Sequence, residues 1–162
     1  MNISIFIAAI AMVESGNNPA AVGKAGELSE YQITRQVWKA YAPAEPFTRE
    51  NAKRRKVSRY VAFNHASELE KSVPLVILLK NERDTVLLCA AGWHRGEAYM
   101  KRSWFQWSAE TKDYADRVWN AYQDLKLKDT LATGPASGIG SSAFSSNCSV
   151  FISSPPQTPA GS

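Results

Sequence analysis

Glu14 closes an apolar run, Ile3 to Val13, and opens the tripeptide Glu14-Ser15-Gly16. If that run is a helix and Gly16 stops it, the carboxyl lies in the last turn, near the negative end of the macrodipole and against apolar neighbours. Desolvation and a nearby partial negative charge both raise a carboxyl pKa. A carboxyl still protonated near neutrality is equipped as a general acid. The competing reading of the same pattern is a solvated carboxylate on a frayed helix end.

The elements that must hold this acid are mostly helical. With 162 residues and 44% hydrophobic content, the chain suits one compact domain with one core, and no internal repeat is visible. All charged residues and both His precede Leu131, whereas Leu131 to Ser162 is uncharged and rich in Ser, Gly and Pro. The expected organisation is a working domain over residues 1–130 and a flexible, disordered C-terminal tail over 131–162. Asn17-Asn18-Pro19 signals a turn after the first helix, and Gly23 to Gly26 a loop able to form a short hairpin with Tyr31-Gln32-Ile33. A second helical stretch runs from Thr48 to about Lys71, with Val57, Tyr60, Val61 and Leu69 as one buried stripe. A third, nearly all-apolar and therefore central, starts near Asp84 as N-cap and carries Val86 to Ala91. The last covers about Glu110 to Leu125, with Tyr114, Val118, Ala121, Tyr122 and Leu125 on one face. The fold class is therefore mainly α, with at most a small β-hairpin.

Four blocks then occur in order: Ala11 to Pro19 around Glu14-Ser15-Gly16, Gly26 to Thr34 ending Tyr31-Gln32-Ile33-Thr34, Ala90-Ala91-Gly92-Trp93-His94-Arg95-Gly96, and Glu110 to Val118 around Tyr114. They resemble the ordered blocks of soluble lytic transglycosylases and span most of residues 8 to 122. The resemblance implies a lysozyme-like helical domain that cuts the β-1,4 bond between N-acetylmuramic acid and N-acetylglucosamine in peptidoglycan, leaving a 1,6-anhydro ring. It implies that Glu14 protonates the leaving oxygen and then, as carboxylate, takes the proton of the attacking muramic 6-hydroxyl. It places Ser15 beside the cleft, Gln32 on sugar together with its motif neighbour Tyr31, and Tyr114 near the acid. Where members carry Gly-Leu before the Tyr-Gln pair, this chain has Ser29-Glu30, losing a permissive glycine and adding a charge. Where the third block usually ends Tyr-Asn-Ala-Gly or Trp-Asn-Ala-Gly, Trp93 keeps an apolar face for a sugar ring and His94 replaces the amide.

Most glycosidases use two carboxyls, one as acid and one as base or nucleophile. No second acid stands out as Glu14 does. An intramolecular hydroxyl removes the need to activate water, since effective molarities for well-placed attack reach about 10^5 M or more. Glu27, Glu30 and Glu97 are the candidates for a second carboxyl, which would favour a hydrolytic muramidase; solvated loop charges are the plainer reading of each. A non-catalytic peptidoglycan-binding module of a phage particle or secretion apparatus is the alternative from another class, motivated by Ser29-Glu30 and His94.

Other signals point to no cofactor. His65, His94, Cys89 and Cys148 lack the paired spacing of a structural zinc site, so no metal is expected, and Cys89 with Cys148 makes an improbable disulfide pair. Lys53 to Lys56 with Arg59 form a basic patch that, at net charge +4, reads as a solvated face attracted to an anionic wall rather than to nucleic acid. Trp104, Phe105 and Trp107 suit either a sugar cleft or the core. The run Ile3 to Val13 is too short for an integral membrane segment and lacks the cations of a signal peptide. The expected partners are peptidoglycan strands at the cell wall or periplasm, reached by a route the sequence leaves open.

Overall fold

A computed structural model describes residues 1–74, 77 and 81–133, and the described part is mainly helical. Of the proposed tail, 131–162, residues 134–162, with Cys148, lie outside the described residues.

Helix α1 (Ile3–Ser15) begins at Asn2, whose Oδ1 accepts the Ile5 amide at 3.2 Å and satisfies one of the donors a helix start leaves open. Phe6, Ile7, Ala9, Ile10 and Ala11 are buried. Gly16 ends the helix in the left-handed region, φ 64°, where a side chain would be strained, and the amides of Gly16 and Asn17 return to the carbonyls of Met12 and Ala11, both at 3.0 Å.

Helix α2 (Arg35–Tyr41) buries only Trp38, whose indole N–H donates to the Glu45 carbonyl at 2.8 Å. The expected single stretch from Thr48 to Lys71 is two helices. Thr48 caps α3 (Arg49–Ala52), the chain extends at Arg54 (ψ 91°), and α4 (Arg55–Lys71) follows. Its buried stripe is Ser58, Val61, Ala62, Ala66 and Leu69, while Tyr60, expected inside, is 59% exposed.

Helix α5 (Glu82–Arg95) is central as expected, burying Thr85 to Leu87 and Cys89 to Gly92. Its N-cap is Asn81 rather than Asp84: the Asn81 side chain accepts from the amides of Arg83 and Asp84. Asp84 sits in the first turn, where its charge complements the dipole. Burial pushes the Cys89 thiol up to about 12, so it acts as a small apolar group. After α6 (Glu97–Met100) and a 3-10 turn (Trp104–Gln106), helix α7 (Ala109–Thr133) buries Tyr114, Ala115, Val118 and Tyr122. It runs beyond the expected end at Leu125, and beyond residue 130, with Thr130 and Thr133 hydroxyls bonding back to the Lys126 and Asp129 carbonyls. Helix α7 packs on both α1 and α5, and α4 packs on the same pair. Each fully buried large apolar side chain in this core contributes roughly 1.5–3 kcal/mol.

Between α1 and α2 the expected hairpin reduces to two single bridges through one residue, Val22 to Leu28 and Leu28 to Ile33. Gly23 to Gly26 turns within this loop instead of pairing with Tyr31 to Ile33.

Candidate active site around Glu14

Glu14 lies in the last turn of α1, partly buried, and Tyr114 from α7 donates its phenol proton to Glu14 Oε1 at 2.6 Å. Burial raises the Glu14 carboxyl above its usual range and the charge of Glu27 adds to this. The Tyr114 hydrogen bond and the Arg117 guanidinium oppose the rise without cancelling it. The result is a half-sheltered acid with, among the described residues, one hydrogen-bond donor on its carboxyl, suited to giving up a proton.

Two neighbours hold Tyr114. His94, at the end of α5, stacks on its ring with centroids 4.6 Å apart and planes 13° apart. Arg117, one turn along α7, lies 5.7 Å from the ring centre. Burial, helped by the Arg95 charge, lowers the His94 pKa, so the imidazole is neutral at neutral pH. Its Nδ1 lies 3.4 Å from the Thr111 hydroxyl, and Glu110 pairs with Arg95 beside it. Tyr114 is 4% exposed, and burial with the adjacent Glu14 holds its phenol well above the usual range, so it remains a donor.

Ser15 is a brace. Its hydroxyl donates to the Glu30 carbonyl at 2.9 Å and accepts the Asn18 amide at 3.0 Å, tying the end of α1 to the loop that carries Gln32. Gln32 is left-handed (φ 49°), and its amide donates to the Ser29 carbonyl at 3.0 Å. Ser29, where the resembling family carries glycine, keeps a glycine-like backbone at φ 73°. The side-chain ends of Gln32 and Glu27 both close on Gly23, so a Cβ there would have to displace them.

The structure thus brings Glu14, Tyr114 and His94 together and ties Ser15 to the loop of Gln32. It places Tyr31 and Trp93 elsewhere. Tyr31, 6% exposed, lines a cavity with Glu30. Trp93 packs on His65 (centroids 4.9 Å apart) and edge-on to Phe6 (6.5 Å). His65 is partly buried between Trp93 and Tyr41, and desolvation lowers its pKa to about 4. Trp104 and Trp107 border a hollow of about 700 Å³, and Tyr41, Tyr60 and Phe63 border another of about 980 Å³; Glu14 lines neither. Sequence reasoning missed Arg117 as a member of the site, although its spacing of three from Tyr114 on a helix puts both on one face. Among the described residues no three His, Cys, Asp or Glu side chains converge as a metal site would require, and no helix is long and apolar enough to cross a membrane.

No known protein family, no curated protein and no solved structure matches the chain.

Proposed function

We propose that this chain is a peptidoglycan lytic transglycosylase with a lysozyme-like helical domain, acting at the cell wall or periplasm. The observation that carries the reading is the carboxyl of Glu14, sheltered at a helix end, raised in pKa and held by Tyr114 at 2.6 Å. The order of the four sequence blocks supports it. In the reaction, the Glu14 proton passes to the glycosidic oxygen as the bond from C1 of N-acetylmuramic acid to that oxygen breaks. The muramic 6-hydroxyl bonds to C1, its proton returns to the Glu14 carboxylate, and the products are a 1,6-anhydro end and a free 4-hydroxyl. Tyr114 fixes the carboxyl, and the loop braced by Ser15 presents Gln32.

Purified protein incubated with peptidoglycan should release anhydro-muropeptides, identified by mass spectrometry, and Glu14→Gln should abolish them. Retention on insoluble peptidoglycan with no fragments, unchanged by Glu14→Gln, would replace the enzyme by a wall-binding module. One observation favours a hydrolytic muramidase as second reading: of the three candidate second carboxyls, Glu27 is the one whose charge raises the Glu14 pKa. Reducing ends that disappear in Glu27→Gln select hydrolysis.

A further inference from the structure

Glu30 is a buried carboxyl with one oxygen unused. It is 5% exposed, and among the described residues its Oε2 has no hydrogen-bond partner. Burying such a group without a partner is costly. The side chain lines a cavity of about 320 Å³, with Ile7, Ala8 and Ala11 on the α1 side and Arg55 and Arg59 on the α4 side. This is a different place from the Glu14 carboxyl, which is not among the lining residues.

The two arginines lie four apart on α4 and so share a face. The guanidiniums that pair with carboxylates in the described structure are those of Arg54, Arg83, Arg95 and Arg117, not these two. The Arg55 charge is nonetheless felt at Glu30. A negative group and two positive groups therefore border one small space without joining in an ion pair. About 320 Å³ is at the lower end of ligand-sized pockets. A guanidinium grips a carboxylate through two parallel N–H donors, two guanidiniums side by side concentrate positive charge for one, and an isolated buried carboxylate attracts an ammonium.

We propose that this cavity binds a small zwitterion, an amino acid or dipeptide, with its ammonium on Glu30 and its carboxylate between Arg55 and Arg59. The apolar α1 wall suits a short aliphatic side chain such as a methyl.

The test is a titration of the 15N-labelled full chain with L-alanine, L-alanyl-L-alanine, acetate and methylammonium, followed by the amide shifts of Asn17, Tyr31 and Arg59. At least one zwitterion should give saturable shifts at a concentration tenfold or more below that needed for acetate or methylammonium, and which of the two does so tells single residue from peptide. Glu30→Gln and Arg59→Ala should each weaken that binding at least tenfold. Glu30→Leu, which removes the buried charge and keeps an apolar volume, should do the same with the fold intact. Saturation by neither zwitterion, acetate binding as tightly as both, or undiminished zwitterion binding in Glu30→Leu would each overturn the assignment.

Discussion

The Ser15 hydroxyl donates to the Glu30 carbonyl at 2.9 Å, joining the residue after the candidate acid to a residue that lines the cavity of about 320 Å³. One side chain thereby sets the spacing between the end of α1 and the loop of residues 28–33.

Ser15→Ala removes that bond and the acceptor of the Asn18 amide. The expected loss is about 1–2 kcal/mol of stability, read by urea denaturation, with faster hydrogen exchange in the loop of residues 28–33 than in α5. Uniform exchange across both segments would show that the hydroxyl braces nothing locally.

Tyr114→Phe removes a hydrogen bond that favours the ionised form of Glu14. The Glu14 pKa, already raised, should rise further, as followed by 13C carboxyl shifts during a pH titration. The alkaline limb of any cleavage activity should move to higher pH with it. A downward movement would mean that Tyr114 destabilises the carboxylate.

Ser29 adopts φ 73°, a region costing an L-residue about 1–2 kcal/mol. Ser29→Gly and Ser29→Ala lose the same hydroxyl, so their difference isolates the backbone. The glycine variant should be the more stable of the two by about 1 kcal/mol in chemical denaturation. Equal stabilities would place no strain at this position.

Glu30→Leu should stabilise the fold at neutral pH, by about 1 kcal/mol or more, because it takes a poorly satisfied carboxyl out of the interior. Burial raises the folded-state Glu30 pKa above the ordinary 4.5. A group shifted that way keeps its full contribution below the unfolded pKa and loses it as pH rises through the folded one. The advantage of Glu30→Leu over the parent should thus be small below pH 4.5 and widen toward pH 7. Thermal melts at both ends of that range give the sign directly.

What the sequence conveyed and what it hid divide along physical lines. The end of α1 was readable because Gly16 takes a backbone that glycine adopts at little cost, so the position of Glu14 followed. Helix α5 was readable from a run too apolar to lie outside. The break between α3 and α4 was not, because neither Gly nor Pro marks it; Arg54 leaves the helix and its guanidinium bonds Glu45 at 3.1 Å. The left-handed turns at Ser29 and Gln32 were hidden for the same reason, both residues being poor advertisements for positive φ. The far end of α7 was misplaced because the buried face stops at Leu125 and residues 126–133 are all exposed, although threonine hydroxyls there close on the helix's own carbonyls. Glu30 was read as a solvated charge, the usual fate of its type, and is among the most enclosed polar residues of the domain.

The pair formed by Glu14 and Tyr114 spans 100 positions of sequence. Neither half of the chain can complete it, so a ribosome must have released nearly the whole domain before the carboxyl finds its phenol. In the proposed reading the acid site is consequently completed late in maturation, and a fragment that ends before Tyr114 lacks the donor that fixes the Glu14 carboxyl.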